Sequence, residues 1–216
     1  MSIFDTLISL PLFNGVSHEI MAKAVGRHRF EFKKFGNSDV IVAAGDPCRS
    51  LVFILSGRAV SHREIGAGFV VTQELPECTV LSPEFLFGRF TEYPSTVTAS
   101  DAVSVLEISK ADYLEIISSD PVFMFNYLNL LSRKAQKMYE FMPGGTLKQH
   151  LTMIVDIYTD VESREIVISC PVGFTKTLGV TAAAYEKLLS ALKEKGAVSY
   201  YTDTEIKVSD RAAFIL

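Results

Sequence analysis

Residues 29–108 consist of short runs rich in Val, Ile, Phe and Thr that alternate with turn signals. The signals include Gly36-Asn37, Ser56-Gly57 and Pro94. β-Branched and aromatic residues favour strands, whereas Gly, Pro and Asn interrupt them. Several short strands at this spacing predict a small antiparallel β sandwich or barrel.

A long helix is predicted after the strands. Residues 109–112 begin a helical stretch, and Asp120-Pro121 places an N-cap acid before a proline at the first helical position, so we expect a helix over about 120–142. Apolar residues recur there in alternating steps of three and four, as in the seam of a paired coiled coil: Met124, Leu128, Leu131, Ala135, Met138 and Met142. We interpret these as a homodimer interface. A helix packed on its own barrel is the alternative, because the first half is apolar all round.

A second domain is expected after a break at Pro143-Gly144-Gly145, which we interpret as a hinge. Hydrophobic spacing predicts the following elements in order: a helix over 147–158, a strand over 165–169, a short helix over 174–178, a longer helix over 181–195 and a hairpin over 197–209. Two helices followed by a hairpin predict a winged helix-turn-helix.

This order of elements resembles the Crp/Fnr family of bacterial transcription regulators over nearly the whole chain. The most specific stretches are "GDPCRSLVFILSGRAV" (45–60), "SDAVSVLEISKADYLEII" (100–117) and "LGVTAAAYEKLLSALKEKGAV" (178–198). The resemblance implies an α+β fold with an antiparallel β jelly roll (a cupin-like sensor domain), a long dimerisation helix and a C-terminal winged helix-turn-helix. The domains would be 1–142, including the dimer helix, and 146–216.

Within these stretches, single residues have expected roles. Gly45 and Gly57 would make turns, and the alternate residues Leu51, Phe53 and Leu55 would point to one face of a strand. Gly179 would permit the tight turn between the last two helices, and Thr181 would cap the second of them.

The segment "VLSPEFLFGRFTEYPSTVTA" (80–99) stands where cyclic-nucleotide binders of this kind have G-E-[LF]-x-x-[LF] and then R-[ST]-A. Here Ser82-Pro83 replaces the G-E pair, Glu84 is displaced by one residue, and Pro94-Ser95-Thr96 replaces R-[ST]-A. Proline has no N–H to offer a phosphate, and no Arg stands at the charge-pairing position, since Arg89 is out of register. The sequence therefore argues against cyclic AMP binding in the familiar mode.

Two interpretations of this pocket remain open. It accepts another small-molecule effector, with Ser82, Glu84, Arg89, Ser95 and Thr96 as its polar residues. Alternatively, the space is filled as hydrophobic core by Phe85, Leu86, Phe87 and Phe90.

The predicted recognition helix departs from the family pattern S-R-x-[ST]-[VL]-x-R. The corresponding residues run from Thr181 to Lys187, so Ala182 replaces the first Arg and Lys187 the second. Alanines contact thymine methyl groups, and a lysine neutralises a phosphate. We expect DNA contacts from Lys176, Thr181, Ala182, Ala183, Tyr185 and Lys187.

The basic side chains of this domain are offset by acidic ones, and the net charge of −4 argues against nonspecific coating of nucleic acid. We therefore expect a homodimeric regulator that binds an inverted repeat in double-stranded DNA, with RNA polymerase as a partner implied by the resemblance. The alternative is a sensor or protein-interaction dimer whose winged helix no longer reads DNA specifically. No catalytic triad, zinc-ligand spacing or phosphate-binding loop motif is present, so we do not expect an enzyme.

The cofactor remains unknown at this level. Iron–sulfur sensors of this superfamily carry a cysteine cluster near the N-terminus, whereas the first cysteine here is Cys48. Haem would need an axial ligand, for which His18, His28, His62 and Cys48 are the weakly supported candidates.

The longest apolar runs are far shorter than the roughly 18 residues of a membrane span, so we expect a cytoplasmic protein. Cys48, Cys78 and Cys170 are scattered and predict buried small hydrophobes.

Overall fold

The structure is a computed structural model that describes residues 3–140, 146–163 and 165–215. Residues 1–59 and 76–134 form one compact unit, here called the N-terminal unit, and residues 60–75 and 135–216 form the C-terminal unit. The predicted hinge at residues 143–145 and the predicted interface residue Met142 lie outside the described residues. No helix in the described ranges is long and apolar enough to cross a membrane.

The elements predicted for residues 109–209 follow one another in the predicted order, whereas the first and last helices of the described residues were not predicted. The helices are α1 (Ile3–Ile8), α2 (His18–Arg27), α3 (Lys110–Ser119), α4 (Pro121–Glu140), α5 (Leu147–Tyr158), α6 (Phe174–Leu178), α7 (Ala182–Glu194) and α8 (Arg211–Ile215). The strands are β1 (Phe30–Phe35), β2 (Val40–Val42), β3 (Ser50–Ser56), β4 (Ala59–Ile65), β5 (Phe69–Leu75), β6 (Thr96–Ala99), β7 (Val103–Ser109), β8 (Ile166–Ser169), β9 (Val198–Tyr201) and β10 (Glu205–Val208).

The N-terminal unit is built on antiparallel strands. β7 lies between β1 and β3, with Ile108 opposite both Phe30 and Leu51, and β2 pairs with β6. Phe13, Phe53 and Phe123 bring their rings together within this unit, at centroid distances of 5.5 and 5.9 Å from Phe13. The predicted antiparallel, jelly-roll-like β domain is thereby confirmed.

Strand β3 differs from the expectation of a single buried face. Residues 51–54 are all buried, so both faces of the strand pack against protein, whereas Leu55 is only half-buried. A short apolar run without polar alternation is typical of a strand covered on both sides. Gly57 follows with a φ of +88°, and a Cβ there would collide with the carbonyl oxygen of Ala102. The predicted turn at Gly57 is confirmed, and only glycine satisfies both constraints.

One face of helix α4 packs within the N-terminal unit, and the other face is exposed to solvent. Asp120 caps it through the N–H of Val122 at 3.0 Å, as predicted. Phe123 and Tyr127 are buried in the N-terminal unit, whereas Met124 and Leu128 are 44% and 48% exposed. Leu131 is half-buried and Ala135 is exposed, and the side chain of Met138 lies outside the described residues. Phe125, which the seam prediction did not include, is 58% exposed on the same helix.

The C-terminal unit follows the predicted sequence of elements closely. Thr146 begins α5 with a capping box, in which its side chain accepts the N–H of Gln149 and the Gln149 side chain accepts the N–H of Thr146. α5 and α6 have the predicted bounds, and β9 pairs with β10 across the predicted turn. β8 pairs with β10 on the other side.

Residues 60–75 belong to the C-terminal unit, whereas the sequence analysis expected domains at 1–142 and 146–216. Strand β5 pairs with β8 in antiparallel register, with Val71 opposite Ile168. Phe69 and Val71 are part of the hydrophobic core of the C-terminal unit, and the Phe69 ring lies 5.6 Å from that of Phe174. A strand edge needs hydrogen-bond partners, and here the β4–β5 hairpin supplies them to β8.

Gln73 of β5 binds the loop between α5 and β8. Its side-chain amide donates to the carbonyl of Tyr158 at 3.2 Å, and its carbonyl oxygen accepts the N–H of Asp160 at 2.7 Å and the hydroxyl of Ser163. Gln73 is itself buried. A buried amide with three such bonds is costly to replace, because its partners lose their bonds at sites where water has restricted access: Ser163 is buried, and Tyr158 and Asp160 are half-buried.

The three cysteines are free thiols. Cys48 in the N-terminal unit and Cys170 in the C-terminal unit are buried, as predicted for small hydrophobes, whereas Cys78 is half-buried.

We predict that Gln73→Leu lowers the free energy of unfolding by about 2–4 kcal/mol, since it leaves one buried and two half-buried polar groups without their partner. Urea unfolding of the full chain measures the change. Glu64→Leu, on the exposed side of the same hairpin, is the control and should cost less than about 0.5 kcal/mol. Equal losses for the two variants would contradict a special role for Gln73.

Candidate functional site

The first candidate site is the segment 80–99 of the N-terminal unit. Ser82 has a φ of 45°, in the left-handed region, and leads into a short 3-10 helix over Pro83–Phe85. Gly88 follows with a φ of +99°. The segment is thus held in a compact, partly strained conformation, and Pro83 offers no N–H at the point where a phosphate cradle would need one.

Two of the polar side chains predicted to line an effector pocket, those of Glu84 and Thr96, have partners within the N-terminal unit. The Glu84 carboxylate pairs with the Lys134 ammonium of α4 at 2.7 Å. The Thr96 hydroxyl accepts the N–H of Ala44 at 3.0 Å, and Ser95 is buried. Glu84 and Thr96 therefore connect the segment to α4 and to Ala44.

Arg89 points away from such a pocket. Its side chain is exposed, and its guanidinium lies 5.5 Å from the centre of the Phe90 ring. Phe90 is 72% exposed, so it does not fill the core as the hydrophobic alternative supposed, whereas Leu86 is fully buried and Phe85 and Phe87 are half-buried. The Gly88 turn carries both Arg89 and Phe90 to the surface.

Two buried tyrosines of this region were missed by the sequence analysis. The Tyr127 hydroxyl of α4 donates to the carbonyl of Pro83 at 2.9 Å, and burial, with the nearby Glu84 charge, raises the pKa of Tyr127 to about 12. The Tyr93 hydroxyl donates to the carbonyl of Ser50 at 3.1 Å. Burial also raises the pKa of Tyr93 and of the neighbouring Cys48 thiol. All three groups are therefore neutral near pH 7.

The three histidines named as possible haem ligands, His18, His28 and His62, each contact different residues. His18 is exposed and lies 3.6 Å from Asp5, while the His28 imidazole, whose side chain is 9% exposed, faces the carboxylates of Asp112 and Glu115. The His62 Nδ1 lies 3.0 Å from the Thr72 hydroxyl. Within the described ranges, no group of three or more His, Cys, Asp or Glu side chains is arranged to hold a metal ion.

The second candidate site is the pair α6 and α7 of the C-terminal unit. Gly179 ends α6 in the left-handed conformation, with a φ of 64° and its N–H bound to the carbonyl of Thr175. Thr181 caps α7 by accepting the N–H of Ala184 at 3.2 Å. The predicted roles of Gly179 and Thr181 in this turn are confirmed.

Five of the six predicted DNA-contacting residues are on the surface: Lys176, Thr181, Ala182, Ala183 and Lys187 are exposed. Tyr185 is not, and its interpretation as a DNA contact is corrected. Its side chain is 4% exposed, its ring stacks on Phe174 at 5.8 Å, and its hydroxyl donates to the carbonyl of Thr202 at 2.6 Å. The family pattern has [VL] at this position, which is the signal that could have predicted burial.

A carboxylate beside these residues was not predicted as part of the site. Glu186 of α7 is exposed and accepts a hydrogen bond from the Tyr201 hydroxyl of β9 at 2.6 Å. That bond raises the pKa of Tyr201. The two side chains line an open cleft of about 320 Å³ together with Thr175, Ala182, Tyr185 and Asp203.

A family model described as the cyclic nucleotide-binding domain matches residues 32–120. Among curated protein sequences, none matches this chain.

Several solved structures share the fold. The Thermus thermophilus catabolite activator protein is 19% identical with a TM-score of 0.54, over 94% of this chain and 96% of that one. The sensor domain of the transcriptional regulator DNR from Pseudomonas aeruginosa is 16% identical with a TM-score of 0.54, over 66% of this chain and 95% of that one. The N-terminal domain of a transcriptional regulator from Streptomyces coelicolor A3(2) is 22% identical with a TM-score of 0.51, over 65% and 99%.

We predict that Ser82→Gly raises the free energy of unfolding by about 0.5–1 kcal/mol. A left-handed backbone costs a non-glycine residue about 1–2 kcal/mol, and the greater entropy of glycine in the unfolded chain cancels part of the gain. Thermal and urea unfolding measure the change. Ser100→Gly, at an exposed site where φ is not positive, should instead lower stability. A loss of stability in both variants would contradict the prediction.

The antiparallel strands of the N-terminal unit, the family match over residues 32–120 and the solved structures agree on one conclusion: this chain contains a domain with the cyclic nucleotide-binding fold.

Proposed function

We propose that this chain is a homodimeric, Crp/Fnr-like transcription regulator. In this proposal a sensor domain with the cyclic nucleotide-binding fold controls a winged helix-turn-helix that reads an inverted repeat in double-stranded DNA. RNA polymerase is then the expected protein partner at promoters. The chain acts by binding and not by catalysis.

The observation that carries the proposal is the turn between α6 and α7 and what it exposes. Gly179 ends α6 in the left-handed conformation and Thr181 caps α7, so a short turn joins the two helices. The start of α7 is exposed, and the β9–β10 hairpin follows this helix. This is the arrangement in which a recognition helix enters a major groove beside a wing. The likeness to the catabolite activator protein over 94% of the chain supports the same reading.

The sensor pocket is proposed to take a signal other than cyclic AMP. Proline stands at two positions of the segment 80–99 that would hold a phosphate, and the one arginine there, Arg89, is exposed. A buried phosphate without a guanidinium lacks its strongest hydrogen bonds. Lys134 and Tyr127 of α4 bind Glu84 and Pro83, so a ligand that separates these pairs moves α4 directly.

The second candidate function is a sensor or protein-interaction dimer whose winged helix no longer reads bases. It is favoured by the exposed run Ala182, Ala183 and Ala184, since the readers of base edges are polar or charged side chains. If this function is the correct one, the native protein selects no DNA motif, and Ala182→Arg creates sequence-specific binding that the native protein lacks.

We predict that the purified protein enriches an inverted repeat from genomic DNA fragments, with half-site centres about 10–10.5 base pairs apart. Selection is run at moderate and at higher salt and followed by sequencing. Added cyclic AMP should leave the recovered motif and the affinity unchanged. Recovery of no symmetric motif at either salt would overturn the proposed function and favour the second candidate.

In the same assay, Lys187→Ala should weaken binding to all sequences alike and lower the salt slope by about 1, because one phosphate contact is lost. Lys34→Ala is the matched control, since it removes an exposed lysine from β1 in the N-terminal unit. If the control lowers the slope equally, Lys187 makes no contact of its own.

The dimer is tested at the exposed face of α4. Leu128→Arg places a charge in the middle of the proposed seam, so sedimentation should show a monomer where the native chain is a dimer. Asn129→Arg puts the same charge on the neighbouring exposed position and should leave the dimer intact. A dimer in both variants would exclude this face.

A further inference from the structure

The carboxylate of Glu186 is held in a fixed place on the reading face of α7. Ala182, which stands at the family's first arginine position, lies one helical turn before it on the same side of the helix, at the i, i+4 spacing. The Tyr201 hydroxyl donates to Glu186 Oε1, while Oε2 has no hydrogen-bond partner among the residues that the structure describes. One oxygen is thus anchored and the other is open to a ligand.

The surroundings of Glu186 point to a neutral hydrogen-bond donor as that ligand. The cleft beside it is walled by the rings of Tyr185 and Tyr201 and by the methyl group of Ala182, and no Lys or Arg lines it. Its other carboxylate, Asp203, is already occupied by the N–H and hydroxyl of Thr175, at 2.9 and 3.1 Å. Two carboxylates repel a DNA phosphate from this cleft, so the edge of a base is the part of DNA that fits.

Among the four bases, cytosine matches an anchored carboxylate best. In the major groove cytosine offers the N4 amino donor alone, whereas adenine offers N6 beside the N7 acceptor, and guanine and thymine offer acceptors that repel a carboxylate. The small side chain of Ala182 leaves room for the base edge to approach. The family pattern leaves the position of Glu186 unspecified, so this contact belongs to the present chain.

We infer that Glu186 is a specificity-determining residue that selects a cytosine in each DNA half-site, with Tyr201 as the positioning residue that orients its carboxylate. This inference rests on the proposed function, since it assigns a base preference to the same recognition helix. Tyr201 is itself fixed from two sides, because its ring packs edge-on against Tyr185 at 6.5 Å and the Lys193 ammonium lies 5.9 Å from its centre. The position of the Tyr201 hydroxyl is therefore fixed by the contacts of its ring.

The experiment compares the base preferences of the native chain and three single-residue variants of it in selection from a random DNA pool. The native protein is expected to prefer cytosine about tenfold over the other bases at one position of each half-site. Glu186→Gln should lose that preference and move toward adenine, because an amide pairs with N6 and N7 of adenine. Tyr201→Phe keeps the ring and removes the hydroxyl, so the cytosine preference should fall severalfold while the melting temperature is unchanged.

Glu194→Gln is the control for charge. It removes an exposed carboxylate from the last residue of the same helix, so it raises overall affinity for DNA as any lost negative charge does, without altering the motif. Because the readout is the relative preference among bases, such a uniform gain does not imitate the expected result.

The outcomes separate this inference from the proposed function. If none of the four proteins selects a motif, the proposed function fails and Glu186 has no base to read. If the native protein selects a motif that Glu186→Gln leaves unaltered, DNA reading stands and the inference is overturned. A motif that changes in Glu186→Gln but not in Tyr201→Phe would remove the positioning role from Tyr201.

Discussion

The pairing of β5 with β8 is the contact on which the C-terminal unit depends. Without β5, strand β8 would expose its backbone groups along one edge, and the core would lack Phe69 and Val71. The buried amide of Gln73 adds three side-chain hydrogen bonds to the same junction. The chain enters this hairpin from Ala59 and returns at Pro76, both in the N-terminal unit. Strand β5, which lies within residues 1–142 that the sequence assigned to the sensor domain, is therefore part of the unit that is proposed to read DNA.

The sequence predicted local structure well because local structure depends on nearby residues. The cap at Thr181, the left-handed Gly179 and the bounds of α5 and α6 follow from spacing and turn chemistry. The assignment of residues 60–75 to the C-terminal unit could not be predicted in this way. β5 alternates between buried and half-buried residues as many strands do, and this periodicity does not indicate that its partner is β8. The pocket residues were named by alignment to a motif, which cannot report that Glu84 is already paired with Lys134.

Tyr185 and Glu186 illustrate how a one-residue difference in helical position decides a role. Tyr185 lies on the stripe with Leu189 and Leu192 and is buried, whereas Glu186 is turned outward by about 100° and is exposed. The sequence suggested that the Tyr185 hydroxyl is available to DNA, but in the fold it donates a hydrogen bond to the carbonyl of Thr202. The exposed start of α7 that remains carries alanines together with Glu186 and Lys187, so these two charges account for most of the discrimination among partners.

The placement of the cysteines gives each unit its own chemical reporter. A thiol reacts as the thiolate, and burial raises the pKa of Cys48. Burial also limits the access of reagents to both Cys48 and Cys170. Cys78 is half-buried, so we expect a reagent to label it while the protein is folded. Labelling of Cys48 therefore counts openings of the N-terminal unit and labelling of Cys170 those of the C-terminal unit, so the native chain separates the dynamics of its two halves without an introduced probe.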